Sequence, residues 1–197
     1  MTIYPSKFKK IIIVGWDYDI YYDLLKIKRL SIVGYTSKKI YPKQQVPFKY
    51  LGSIINIKKI KKNIGLLLVT EDIKLRRLTF EKFKKNLITF ISPSATVNKK
   101  NIKIGSVIYP NVFISFNSMI GYCTKIHLGS QIHHDCRIGD YSIVNPKTVI
   151  LGNTIIGKKC YIGSNSVIRN KFKIKDNSFI KMGSVVKDYL TIKKIKF

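Results

Sequence analysis

From residue 102 to residue 186 an aliphatic side chain recurs at every sixth position. The run is Ile102, Ile108, Ile114, Ile120, Ile126, Ile132, Ile138, Val144, Ile150, Ile156, Ile162, Ile168, Ile174, Ile180 and Val186. Four residues after each lies mostly a small or hydroxyl side chain, from Ser106 through Ser142 and Cys160 to Ser184, with Phe172 as the bulky exception. Gly121, Gly139, Gly157 and Gly163 directly follow their aliphatic. A period of six is neither the 3.6 of a helix nor the 2 of a simple strand. It suits a short flat strand followed by a corner, with one branched side chain per side pointing into a narrow core. The glycines are expected to supply turn conformations closed to other residues. Three sides close a coil of 18 residues, and stacked coils pair backbone to backbone at the ~4.8 Å spacing of sheets. The expected architecture is a parallel β-helix.

The first ninety residues follow another pattern. Lys10-Ile11-Ile12-Ile13-Val14 reads as a buried strand ending in Gly15, Asp19 to Lys28 as a helix, and Leu30 to Tyr35 as a second strand. A loop with Pro42 and Pro47 precedes a basic, helix-like stretch near Ile57 to Lys62. Leu66 to Val69 is a third strand, and Leu75 to Lys85 an amphipathic helix. Continuous apolar strands alternating with helices predict a small parallel α/β domain. Pro93 falls at the handover, giving two domains, 1–91 and 92–197.

Composition alters this picture little. The 37 basic and 10 acidic residues give a net charge of +27, but the lysines are spread along the whole chain. Clustered Arg and aromatic stacking positions, which a nucleic-acid binder would need, are missing. A Lys-, Ile- and Asn-rich composition of the kind an AT-rich genome imposes accounts for the charge, and steering of anionic substrates is the functional use that remains. No apolar run reaches the length of a membrane span. Met1 to Lys7 carries no apolar signal-like segment, and Cys123, Cys136 and Cys160 form no CxxC pair. A cytoplasmic chain without disulfides or structural zinc is expected.

Two places carry candidate chemistry. His127, His133 and His134 are the only imidazoles, with Asp135 next. A metal site would draw His from several coils, whereas here no second coil offers any, so no metal is expected. The alternative is a general base, since an imidazole with an unperturbed pKa near 6.5 suits proton abstraction around neutrality. Neighbours on a strand point to opposite faces, so pairing His134 with Asp135 requires a corner. Outward-facing coil residues without a role fit the same pattern. Gly152 lies 18 residues after His134, so the repeat stacks one on the other. Its amide could donate to an oxyanion, or the glycine could merely serve a corner.

Taken together, these segments resemble the bacterial sugar O-acyltransferase family of the sialic acid and bacillosamine type. The resemblance spans essentially the whole chain. It rests on Ile11 to Gly15, Tyr50-Leu51-Gly52-Ser53, Ile91-Ser92-Pro93-Ser94-Ala95, Ile132-His133-His134-Asp135-Cys136-Arg137-Ile138-Gly139-Asp140 and Gly152-Asn153-Thr154-Ile155-Ile156-Gly157. It implies a small Rossmann-like α/β domain followed by a left-handed β-helix of hexapeptide repeats, assembled as a homotrimer with acetyl-CoA bound between subunits. By position it implies His134 as base, Asp135 as its acidic partner and Gly152 as oxyanion donor. It implies Ser142, Gly152, Asn153, Gly163, Ser164, Met182 and Gly183 along the cofactor groove. Gly15, Asp17, Tyr18, Thr36, Ser37 and Gly52 fall where the family holds its nucleotide-linked amino sugar.

The chain also departs from that family. The glycine-rich loop after the first strand reads Gly15-Trp16-Asp17-Tyr18-Asp19-Ile20, whose carboxylates and Trp ill suit close approach to a pyrophosphate. Thr36-Ser37-Lys38-Lys39 replaces acidic residues, Ile143 and Ser92 replace histidines, and Lys194 to Phe197 lacks the family's GxPA tail. The resemblance implies an acetyl-CoA-dependent N-acetyltransferase acting on a nucleotide-linked amino sugar in surface-glycan synthesis. Two other readings stand beside it, a sugar O-acetyltransferase and a non-catalytic assembly subunit.

Overall fold

The computed structural model describes residues 2–4, 8–27, 30–187 and 193–194. The expectations for Met1, residues 5–7, Lys28 and residues 195–197 lie outside them.

In chain order the first part comprises Thr2–Tyr4 (β1), Lys10–Val14 (β2), Tyr18–Leu25 (α1), Ser31–Thr36 (β3), Ile64–Leu68 (β4), Ile73–Phe83 (α2) and Thr89–Ile91 (β5). The apolar runs pair as expected, in a three-stranded parallel sheet of order β3-β2-β4. Asp17 and Asp72 begin the two helices, their carboxylates accepting from the N–H groups of Asp19 (3.1 Å) and Leu75 (2.9 Å). Such caps satisfy donors that the first helical turn leaves open. The helix expected near Ile57 to Lys62 does not form. A short 3₁₀ turn, Ile54–Asn56, precedes an irregular segment. Four lysines surround Ile57 and Ile60, of which only Ile60 is buried, so a helix there would have no apolar stripe to bury.

The six-residue period becomes three flat sheets of stacked, parallel two- or three-residue strands, the arrangement that fits a left-handed β-helix of hexapeptide repeats. One sheet stacks the strands at 107–108, 125–126, 143–144, 161–162 and 178–180. A second stacks 113–114, 131–132, 149–150, 167–168 and 185–186, and a third 119–120, 137–138, 155–156 and 173–174. Partners lie 18 residues apart, as in Ile132 with Ile150 and Ile138 with Ile156. Every repeat aliphatic from Ile108 to Val186 is at most 5% exposed.

The corners differ from expectation in one respect. Gly121, Gly139, Gly157 and Gly163 do not hold the left-handed turn; a Cβ on any of them would come within 2.4–2.6 Å of atoms in the next coil. They permit close stacking. The turn falls two residues later, at Cys123, Tyr141, Lys159 and Asn165, and the same hexad position elsewhere holds Asn111, Asn117, Asp135, Lys147, Asn153, Lys171 and Asn177, all with φ between 50° and 63°. Asn and Asp tolerate this region better than other side chains. The small hydroxyl positions face inward and bond across the corner, Ser142 Oγ donating to the Gly157 carbonyl (2.8 Å) and Thr148 to that of Gly163 (3.1 Å). Cys160 Sγ makes the same bond to the Lys175 carbonyl at 3.1 Å.

The two parts share one apolar core. β5 pairs with strand 107–108, and β1 pairs with β5 antiparallel, so the expected boundary at 91/92 ends a strand already joined to the coil. Arg76, fully buried on α2, donates to the carbonyls of Leu68 (3.1 Å), Thr70 (2.7 Å) and, in the coil, Cys123 (2.7 Å).

Candidate active site

The corner between the second and third sheets brings His134, Asp135, Gly152 and Asn153 together. Asp135 takes the left-handed turn at φ 59°, which swings two sequence neighbours onto one side of the chain. His134 Nδ1 then lies 2.9 Å from Asp135 Oδ2. Asn117, one coil earlier, donates to the other carboxylate oxygen at 2.7 Å. The Asn117 amide, and after it His134, hold the Asp135 carboxyl below the usual carboxylate range. An ionised carboxylate only accepts, so Nδ1 carries a proton, and in the neutral ring this tautomer leaves the lone pair on Nε2.

The face of the ring at Nε2 lies against Gly152. A Cβ on Gly152 would stand 2.6 Å from Nε2 and 2.7 Å from Cε1, so only glycine leaves the ring where it is. The stacking is fixed by the backbone, Asn153 N donating to the His134 carbonyl at 3.0 Å. The His134 side chain is 54% exposed and so open to a reactant.

The residues expected along the cofactor groove divide. Asn153 flanks Gly152 and is exposed. Gly163, Ser164, Met182 and Gly183 occupy the other corner of the second sheet, with Met182 77% exposed and Gly183 N bonded to the Ser164 carbonyl (2.8 Å). Ser142 does not reach the groove. It is fully buried in a coil corner, and its hydroxyl also accepts from Cys160 N at 3.0 Å, so both its capacities are used internally.

Of the residues expected to hold the sugar nucleotide, Gly15, Asp17 and Ser37 line a cleft of ≈ 320 Å³ at the carboxyl ends of the parallel strands, with Lys38, Lys39, Thr70, Glu71 and Lys125. This end of an open parallel sheet is where such folds bind ligands. Gly15 has φ 90°, and a Cβ there would meet Thr70 N at 2.7 Å. Thr36 is buried beside the cleft, its Oγ1 without a partner among the described residues. Tyr18 is directed to Gln45 (3.4 Å), and Gly52 carries the backbone past Ser37 at φ 84°.

Asp17 has a role that its position in the sequence did not reveal. It accepts from Tyr109 Oη at 2.6 Å and from the Lys125 ammonium at 2.9 Å, and both donors belong to the coil. Lys125 also reaches Glu71 at 3.1 Å, and His127 stacks on Tyr109 with centroids 4.1 Å apart. Burial would raise the Asp17 carboxyl, but Lys125 and Tyr109 together hold it below its ordinary value. Burial, then Lys125, lowers the His127 pKa. Asp17, Asp19 and His127 bring three potential ligand atoms within 4.8 Å, yet Asp17 is already committed to the lysine. One signal could have exposed this network. The outward row of the first sheet reads Val107, Lys125, Ile143, Tyr161, Phe179, a single lysine among apolar residues.

The three thiols offer no nucleophile. All are buried, and burial pushes Cys123 up to about 12 and Cys160 to about 11. No helix among the described residues is long and apolar enough to cross a membrane.

Residues 153–188, within the coil, match the bacterial transferase hexapeptide (six repeats) family. Over about nine-tenths of the chain the fold resembles that of solved bacterial structures, an acetyltransferase domain among them. The acetyltransferase domain of PglB from Neisseria gonorrhoeae FA1090, in complex with acetyl coenzyme A, is 18% identical with a TM-score of 0.81, the match covering 91% of each chain. PerB from Caulobacter crescentus, in complex with CoA and GDP-perosamine, is 18% identical at 0.77, covering 91% of this chain and 89% of that one. WeeI from Acinetobacter baumannii AYE is 21% identical at 0.74, covering 91% and 92%. No curated protein matches the chain by sequence.

Proposed function

We propose that the chain transfers an acetyl group from acetyl-CoA to the amino group of a nucleotide-linked amino sugar. The observation that carries this reading is the alignment of His134 Nε2, oriented by Asp135 through Nδ1, against Gly152 one coil away. Nε2 takes the proton as the amine attacks the thioester carbon. The carbonyl oxygen becomes an oxyanion, which in this reading accepts from the Gly152 N–H. The tetrahedral intermediate collapses with expulsion of the CoA thiolate, which takes up the proton. An oxyanion donor of this kind contributes about 3 kcal/mol. The complexes of PglB with acetyl coenzyme A and of PerB with CoA and GDP-perosamine support both the donor and the acceptor class.

The N-terminal cleft opens beside Lys125 on the first sheet, whereas His134 stands on the corner opposite that sheet. An acceptor held in one protomer's cleft therefore meets the base of a neighbour, which supports the homotrimer implied by the family resemblance.

Incubation with acetyl-CoA and UDP-, dTDP- and GDP-linked 3- and 4-amino sugars tests the reading by thiol release and product mass. His134→Ala should abolish turnover. Turnover unchanged by that substitution removes the base, and turnover confined to hydroxyl acceptors replaces N- with O-acetylation.

A further inference from the structure

One row of side chains runs up the corner that carries the base. Its members, each 18 residues apart, are Phe116, His134, Gly152 and Asn170. The spacing is rigid, because Asp135 N donates to the Phe116 carbonyl (3.0 Å) as Asn153 N does to that of His134. Phe116 is 81% exposed, the most exposed large apolar side chain among the described residues. Phe113 at 43% and Met119 at 38%, on the strands before and after this corner, are exposed as well. Phe113 and Phe116 also line an open groove of ≈ 800 Å³ with Lys99 and Lys100.

We propose that Phe116 is the acceptor platform: its ring receives the apolar face of the sugar that carries the amine, and Phe113 extends that platform into the groove. The argument rests on the acetyl-transfer reading and on direction along the coil. With the carbonyl oxygen at the Gly152 amide, the thioester lies on the later-coil side of His134. The attacking nitrogen must lie within hydrogen-bond reach of Nε2. The sugar ring then extends toward the earlier coil, where Phe116 stands. Aromatic faces suit this task twice over, through contact with apolar C–H groups and through attraction for the ammonium form of the acceptor, which releases one proton to solvent before the neutral amine attacks.

The test uses the full-length chain and the methyl glycoside of a 4-amino-4-deoxyhexose, observed by saturation-transfer NMR. Wild type and His134→Ala should both give ring-proton signals. Phe116→Ala should weaken binding about ten-fold and Phe116→Tyr should keep it. In turnover with the nucleotide-linked acceptor, Phe116→Ala should raise the acceptor KM while leaving that of acetyl-CoA unchanged. No signal from the wild type, or equal binding by Phe116→Ala, overturns the platform. So does an altered oligomeric mass for Phe116→Ala, which would make the ring an assembly contact. Sugar binding without any acetyl transfer would sink the transfer reading and leave the platform standing.

Discussion

The imidazole of His134 lies against the α-carbon of Gly152 so closely that a single methyl group there would stand 2.6 Å from Nε2. Gly152 has no positive φ, so Gly152→Ala brings no backbone strain, only the collision with the ring. We expect the folded coil to persist, with an unchanged far-ultraviolet spectrum, and kcat to fall about 10²-fold or more. A variant of normal activity would show that the ring is free to leave this position during turnover.

Asp135 serves both the turn and the ring. Asparagine accepts the same left-handed backbone but supplies a neutral amide in place of the carboxylate. Asp135→Asn should therefore unfold at nearly the wild-type temperature while losing about 10²-fold in kcat. Asn117→Ala, which removes only the second support of the carboxylate, should cost less. If Asp135→Asn lost stability and kept activity, the carboxylate would be a structural group alone.

The contact of Asp17 with Lys125 predicts an acid dependence. Asp17 has a lower pKa in the folded chain than its ordinary 3.8. Its contribution to stability is complete above that ordinary value and is lost as pH falls through the lower folded one. The melting temperature should fall below about pH 4. Lys125→Met, which strands the Asp17 carboxylate, should cost about 3 kcal/mol at neutral pH and flatten this acid limb. An unaltered acid limb would assign the dependence to other carboxylates.

Cys160 occupies a position that serine fills elsewhere in the coil, and its thiol bonds to the Lys175 carbonyl at 3.1 Å. Cys160→Ser should change stability by about 0.5 kcal/mol or less. Cys160→Val, which leaves the carbonyl unpaired, should cost about 1–2 kcal/mol. Thiol reagents should react with the native chain only as fast as it opens. Rapid labelling of the native chain would contradict the burial.

The coil was legible in the sequence because its core admits one branched side chain per six residues, and no other fold imposes that period. The stacking of His134 and Gly152 followed from the same count. Their chemical pairing did not, because it depends on Asp135 adopting a left-handed turn, and the turn series is written in Asn, Asp and scattered other residues. Ser142 was misplaced for a related reason: position within the hexad, not residue type, decides whether a hydroxyl faces in or out. The rewritten loop at Gly15-Trp16-Asp17 looked like a lost phosphate site. Its partners, Tyr109 and Lys125, lie more than ninety residues away in sequence, and no local pattern announces such a contact.

The turn series also gives the coil an arithmetic. Deleting or adding six residues between Asp135 and Gly152 would keep the hydrophobic core in step yet carry the glycine to the next edge of the prism, a third of a revolution from His134. Adding eighteen would restore the angle and insert a rung between them. The pairing of His134 with Gly152 thus tolerates neither change, although the fold tolerates both: the scaffold counts in sixes, and the proposed site counts in single storeys.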